Sequence, residues 1–146
     1  MKPFVDLLHR DEYSLKCALG NTKKILPILK ERDQTHYAVS NYNAISNWVQ
    51  QLFTCKDNGI VPLLGMEVYV NDYRLVSNTP EDMMFKNLNT GKDISISDMD
   101  ETERDLTTID YALTIYAQTI EGYHNIISIH NDAQLNGMWK RPRTSN

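Results

Sequence analysis

Asp6, His9 and Asp11 stand close together near the start of the chain, and Glu67 follows much later. Carboxylates and imidazoles present lone pairs on short, stiff side chains, the donor set by which proteins hold a divalent cation that activates water. Asp6 and Asp11 with Glu67 therefore form a candidate weak cation site, with His9 beside it. Side chains alternate along an extended chain, so His9 is expected to face away from positions 6, 8 and 10, which counts against that set. The other chemistry-bearing residues form no such group. His36, His124 and His130 match no nucleophile–base arrangement and read as ordinary surface or half-buried histidines. Asn89-Thr-Gly-Lys92 lacks the upstream glycines and the strand–helix context of a phosphate loop. Cys17 and Cys55 are the only cysteines, far apart and outside any C-x-x-C pattern, so they read as two reduced thiols.

Charge narrows the partners. A net charge of −4 opposes broad binding to a phosphate backbone, which needs a basic face to displace counterions. Nucleic acid could touch the chain only through Lys140, Arg141 and Arg143, which crowd around Pro142, and a solvated chain end is the plainer reading of that tail. Trp139 beside it is the better candidate for a partner contact, whereas Trp48 lies on an apolar helical stripe and reads as core.

These residues must be held by alternating strands and helices. With 41% hydrophobic and 23% charged residues, 146 residues suit one globular domain that buries roughly 70% of the surface of its unfolded chain. Phe4 to His9 reads as a short strand. Ile25, Leu26, Ile28 and Leu29 recur at helical spacing over 22–30 behind an Asn21 cap, and Pro27 requires a late start or a kink. Tyr37 to Ser40 is a second strand. Residues 44–55 carry the apolar stripe Ile45, Trp48, Val49, Leu52 and Phe53, ended by Asn58-Gly59. Ile60 to Val70 is apolar without alternation, as in a strand buried on both faces of a parallel sheet. Residues 71–108 read as a surface excursion, holding a small hairpin or a disordered stretch, with an acidic run from Asp98 to Asp105. A strand over Tyr111 to Gln118 and a helix over Glu121 to Asn136, closed by Gly137, complete the chain. The alternation predicts an α/β fold with a mainly parallel sheet of at least four strands. No apolar run approaches the roughly 20 residues of a membrane helix, and Met1-Lys-Pro-Phe-Val-Asp6 lacks the apolar core of a signal peptide. No membrane association and a cytoplasmic location are the default expectations.

Four stretches carry a resemblance. They are Phe4-Val-Asp-Leu-Leu-His-Arg-Asp-Glu-Tyr-Ser-Leu15, Ala38-Val-Ser-Asn-Tyr-Asn43, Gly59-Ile-Val-Pro-Leu-Leu-Gly-Met-Glu-Val-Tyr-Val70, and Glu121-Gly-Tyr-His-Asn-Ile-Ile127 followed by Gly137-Met-Trp-Lys-Arg-Pro-Arg143. Together they resemble the N-terminal part of a PHP (polymerase and histidinol phosphatase) domain, of the kind that opens the bacterial DNA polymerase III alpha subunit. There the family shows Phe-Val-His-Leu-His-Val-His-Ser-Glu-Tyr-Ser-Leu, Ala-Leu-Thr-Asp-His-Gly, Gly-Ile-Lys-Pro-Ile-Ile-Gly-Cys-Glu-Val-Tyr-Val, and Glu-Gly-Tyr-Arg-Asn-Leu with a later Lys-Pro-Arg. The match runs from about Pro3 to Arg143.

The resemblance implies a seven-stranded β/α barrel-like fold with metal ligands at the C-terminal ends of its strands. This chain is expected to supply a single partial domain of about four strand–helix units, with the excursion as a variable insertion. At the family's His-x-His positions it has Leu8 and Arg10, and at the Asp-His pair Asn41 and Tyr42; only Glu67 persists, and Asp6 replaces a histidine. Leucine has no lone pair, and a guanidinium repels a divalent cation. The expectation is therefore no cofactor, no catalytic residue, and an Arg10–Glu67 pair in place of the cluster. The implied function is a non-catalytic replication module whose partner is a replication protein or another copy of itself. A stand-alone gene of a phage or mobile element would bind or imitate part of a replisome. The alternatives are a metal-dependent phosphoesterase or exonuclease completed by a partner, and one piece of a split polymerase. The strand from Tyr111 is the expected exposed edge.

Overall fold

A computed structural model describes residues 4–14, 17–18, 20–79 and 82–144. Leu15, which closes the first matching stretch, and Pro80 and Glu81 of the excursion lie outside the described residues.

The chain divides into two compact units, one formed by Met1–Glu67 with Thr114–Ile127 and the other by Val68–Leu113 with Ser128–Asn146. In the first unit, α1 (Thr22–Glu31) starts as its sequence suggests, with the Asn21 side chain accepting a hydrogen bond from the Lys24 N–H. It starts at Thr22 instead of late, and runs through Pro27. The carbonyl that the missing Pro27 N–H leaves free is that of Lys23, and both residues are exposed, so water can satisfy it. The helix ends without glycine: Asp33 takes φ 53°, and Asp33 and Gln34 N–H groups return to the Lys30 and Leu29 carbonyls.

β1 (His36–Tyr42), α2 (Trp48–Asp57) and β2 (Val61–Val70) make a β-α-β unit, with β1 and β2 parallel from His36–Val61 to Tyr42–Glu67. Asn58 and Gly59 do stop α2: Gly59 takes φ 68°, and the Ile60 N–H reaches the Cys55 carbonyl. α2 begins three residues later than its stripe suggests and turns a different face inward. Trp48, Gln51 and Cys55 are buried, whereas Val49, Leu52 and Phe53 are exposed. β1 is the strand buried along most of its length, while β2 is buried only over Gly65–Val68. Leu26, Tyr37, Val39, Cys55 and Ile60 pack as the core of this unit.

β6 (Tyr111–Tyr116) lies on the other side of β2, at the edge of a three-stranded sheet of order β1-β2-β6. Phe4 to His9 forms no strand; one backbone bond, from the Ser40 N–H to the His9 carbonyl, ties it to β1. The expected mainly parallel sheet of four or more strands is therefore not what forms. The N-terminal segment makes too few ladder bonds to add a strand, and β3–β4, β4–β5 and β7–β8 all pair antiparallel.

Those antiparallel strands account for much of the second unit, and the described residues of the excursion form strands and a helix. β3 (Tyr73–Asn78), β4 (Met83–Asn87) and β5 (Asp93–Ser95) form a meander around Tyr73, Phe85 and Met99. The acidic run becomes α3 (Glu101–Leu106), because Asp100 and Glu103 make a reciprocal capping box and the acids sit at the positive end of the helix. α4 (Ile120–Leu135) is followed by a tight hairpin, β7 (Met138–Trp139) and β8 (Arg141–Pro142), turning at Lys140 with φ 60°. Gly137 is obligatory here, since a Cβ would lie 1.8 Å from the Arg143 carbonyl oxygen.

Candidate functional site

The β1–β2 register sets Tyr42 directly beside Glu67. Arg10 reaches both. Its Nη2 donates to Glu67 Oε2 at 2.6 Å, and its guanidinium carbon lies 4.0 Å from the centre of the Tyr42 ring. The Glu67 carboxylate is 5% exposed and the Arg10 side chain 25%. Burial opposes charge on Arg10, but the hydrogen bond and charge of Glu67 outweigh it and hold the guanidinium above its ordinary pKa. The expected Arg10–Glu67 pair is present, with Tyr42 added to it as a cation–π partner.

Asn41 is spoken for as well. Its Oδ1 accepts from the Asp11 N–H at 3.2 Å and from Ser14 Oγ at 2.6 Å, while its Nδ2 donates to Asp11 Oδ1 at 2.7 Å. Asp11 is wholly buried and takes further hydrogen bonds from the Tyr13 N–H and from Asn47 Nδ2. Asn47 also donates to Thr22 Oγ1, so its side chain serves this network rather than the start of α2 that it precedes. The network is a joint between the N-terminal segment, β1 and the two helices. Sequence reading missed Asn47 and Thr22, because Asn47 fell inside the expected helical stripe of 44–55 and so did not read as a residue at the helix boundary.

The candidate cation set does not assemble. Asp6 is exposed and accepts from the Leu8 N–H, Leu8 is itself exposed, and Asp11 is consumed by amides. His9 turns to the Tyr37 ring, 5.4 Å between centres. Burial lowers the His9 pKa, with Asp6 and Asp11 opposing. Among the described residues no three His, Cys, Asp or Glu side chains are placed to hold a metal ion. Arg10, Leu8, Asn41 and Tyr42 do not fit a metal cluster: they offer a permanent cation, an alkyl group, an amide whose oxygen already accepts two hydrogen bonds, and a phenol under a guanidinium.

The C-terminal interaction candidates fall in the other unit and are mostly committed inward. Arg143 is 4% exposed; its Nη1 donates to the Thr107 carbonyl at 2.7 Å and to Asp110 Oδ1 at 3.0 Å. Burial lowers the Arg143 pKa, against the pull of Asp110. Arg141 pairs with Asp110 Oδ2 at 2.8 Å and stacks over the Tyr69 ring. Trp139 packs edge-on against Phe85, 5.4 Å between centres. Lys140 and Arg141 are both exposed, and the Lys140 ammonium lies 5.5 Å from the Trp139 ring. Residues 138–143 are thus a pinned hairpin and not a solvated end. Asp110, which pins it, carried no local motif.

The description "PHP domain" fits residues 6–146 as a family match. The DNA polymerase III subunit alpha of Campylobacter jejuni is 22% identical over 143 residues, 98% of this chain and 10% of that protein. The DNA polymerase III subunit alpha of Helicobacter pylori is 23% identical over 142 residues, 97% of this chain and 10% of that protein. This chain spans about a tenth of the length of the curated relatives it matches. No helix among the described residues is long and apolar enough to cross a membrane.

Proposed function

We propose that this chain, which belongs to the PHP domain family, is a non-catalytic module of DNA replication that works through protein contacts. The tie to replication rests on its similarity to two DNA polymerase III alpha subunits. We read β1, α2, β2 and β6 as the opening part of a PHP-type barrel. The observation that carries the non-catalytic reading is the Arg10–Glu67 ion pair at 2.6 Å. A guanidinium offers no lone pair and cannot lose its charge at neutral pH, so it neutralises the retained carboxylate where a water-activating cation would otherwise be needed. Tyr42 and Asn41, at the other altered positions, are bonded to Arg10 and Asp11 in the same exchange of metal ligation for internal contacts. On a phage or mobile-element chromosome, such a module would bind or imitate part of the host replisome.

Metal uptake and hydrolysis test the reading. Protein incubated with zinc, manganese or iron and then dialysed should retain less than one equivalent by elemental analysis. It should not hydrolyse phosphomonoesters or DNA ends. One or more tightly held ions per chain, or chelator-sensitive hydrolysis that Glu67→Gln abolishes, overturns it. Recovery of a DNA polymerase or its proofreading subunit with the tagged chain from its native host would support the replication link.

A further inference from the structure

The exposed face of α2 has no role in the Arg10–Glu67 site. Val49, Leu52 and Phe53 are 64%, 42% and 59% exposed, and Ile120 at the start of α4 is 73% exposed. Between α2 and the start of α4 lies a groove of about 520 Å³, walled by Trp48, Val49, Leu52, Leu64, Ile120 and Tyr123. Trp48 and Tyr123 are fixed at its base: their rings lie 5.3 Å apart, and Trp48 Nε1 donates to the Gly65 carbonyl at 3.1 Å. The groove is therefore preformed. Apart from Tyr123, its walls come from three runs, 43–55, 60–66 and 114–120, that hold no Asp, Glu, Lys or Arg.

We propose that this groove is a self-association surface whose occupant is a second copy of the chain. Charge is the first ground. A basic or acidic partner finds no opposite charge in the groove, while two copies of a chain with net charge −4 meet there without like-charge repulsion. Shape is the second. Phe53 lies one turn beyond Val49 on the same helical face and does not line the groove, so one surface carries both a knob and a socket. A two-fold axis lets each copy's Phe53 enter the other's groove, the self-complementary geometry of a two-fold dimer. Area is the third. Val49, Leu52, Phe53 and Ile120 expose on the order of 350 Å² of apolar side chain per copy. Two copies then bury roughly 700 Å² from these side chains alone, and their polar surroundings bring the total toward the ~1,000 Å² that a specific interface needs.

This surface deepens the protein-contact reading and is tested apart from its metal chemistry. Sedimentation equilibrium of the whole chain over a wide concentration range should show a reversible dimer. Phe53→Lys and Ile120→Lys should each weaken it by about tenfold or more, the factor that corresponds to 1.4 kcal/mol, with the circular dichroism spectrum and melting temperature unchanged. Tyr111→Lys, on the edge strand β6, should leave it intact. A chain that stays monomeric overturns the proposal, as does a dimer indifferent to both groove substitutions. A dimer dispersed by Tyr111→Lys alone overturns it too and assigns the contact to the strand edge. None of these outcomes alters what elemental analysis says of the site at Arg10.

Discussion

Arg10 and Arg143 are both arginines paired with a carboxylate distant in sequence, yet the two pairs rest on different physics. Arg10 keeps a quarter of its side chain in solvent and shares its charge with Glu67 and the Tyr42 ring. Arg143 and Asp110 are 4% and 5% exposed, and Asp110 holds Arg141 as well. In the first pair, water and an aromatic face remain to soften the loss of Glu67 for Arg10. In the second, neither ion can reach water without unfolding its surroundings, so loss of one strands the other. An ion pair's worth is thus set by what is left behind when it breaks, more than by its distance.

The largest expected effect follows from that contrast. Asp110→Ala leaves the buried Arg143 guanidinium with only the Thr107 carbonyl and frees Arg141, and should cost about 4 kcal/mol in chemical denaturation. A loss below about 1 kcal/mol would show that the second unit tolerates a buried unpaired charge and would erase the distinction between the two pairs.

Arg10→Met is next, at about 2 kcal/mol, because it strands the Glu67 carboxylate, the more buried member of its pair. Glu67→Gln should cost only about 1 kcal/mol: the amide oxygen still accepts from Arg10, which keeps its solvent exposure and the Tyr42 ring. Burial thus makes the stranded carboxylate, not the stranded guanidinium, the worse outcome. Finding Glu67→Gln the more damaging of the two would show that the guanidinium is the costlier ion to leave without its partner.

Much of the first unit was legible in its sequence because its signals are local. Asn21 caps α1, Asn58-Gly59 ends α2, and the runs read as strands at 37–40 and 60–70 become the paired strands β1 and β2. The Arg10–Glu67 pair was expected from the family resemblance, which put a guanidinium close to a carboxylate. What failed was non-local. The helical stripe of α2 is real, but the inward face is chosen by Gln51, whose amide donates to the Tyr37 carbonyl at 3.4 Å, and by the Trp48–Gly65 hydrogen bond; periodicity cannot choose between faces. The hairpin at 138–142 turns on a lysine with positive φ and is pinned by an aspartate some thirty residues earlier, so neither composition nor turn chemistry announced it. The 71–108 segment looked loose because its polar turns dominate its composition, while its small core needs only Tyr73, Phe85 and Met99 with a few half-buried neighbours.

The smallest effect belongs to His9, which sharpens the comparison from the side of pH. Burial holds its pKa below the ordinary 6.5, although Asp6 and Asp11 pull it upward. The unfolded chain therefore binds a proton that the folded chain refuses, and between the unfolded pKa and the lower folded one, stability should fall as pH falls. Above about pH 7.5 both states are neutral at this residue and its contribution is flat. His9→Phe keeps a ring against Tyr37 and removes the titration together with a buried ring nitrogen that has no hydrogen-bond partner. Denaturation of the two proteins from pH 8 to 5 should give a difference that is constant in the alkaline half and then moves in favour of the phenylalanine variant below about pH 6.5. His36, His124 and His130 are common to both proteins and cancel in that difference. Parallel curves across the whole range would mean that His9 is as accessible to protons folded as unfolded, and the packing of the N-terminal segment against β1 would then be looser than the Ser40–His9 and Asp11–Asn41 bonds require.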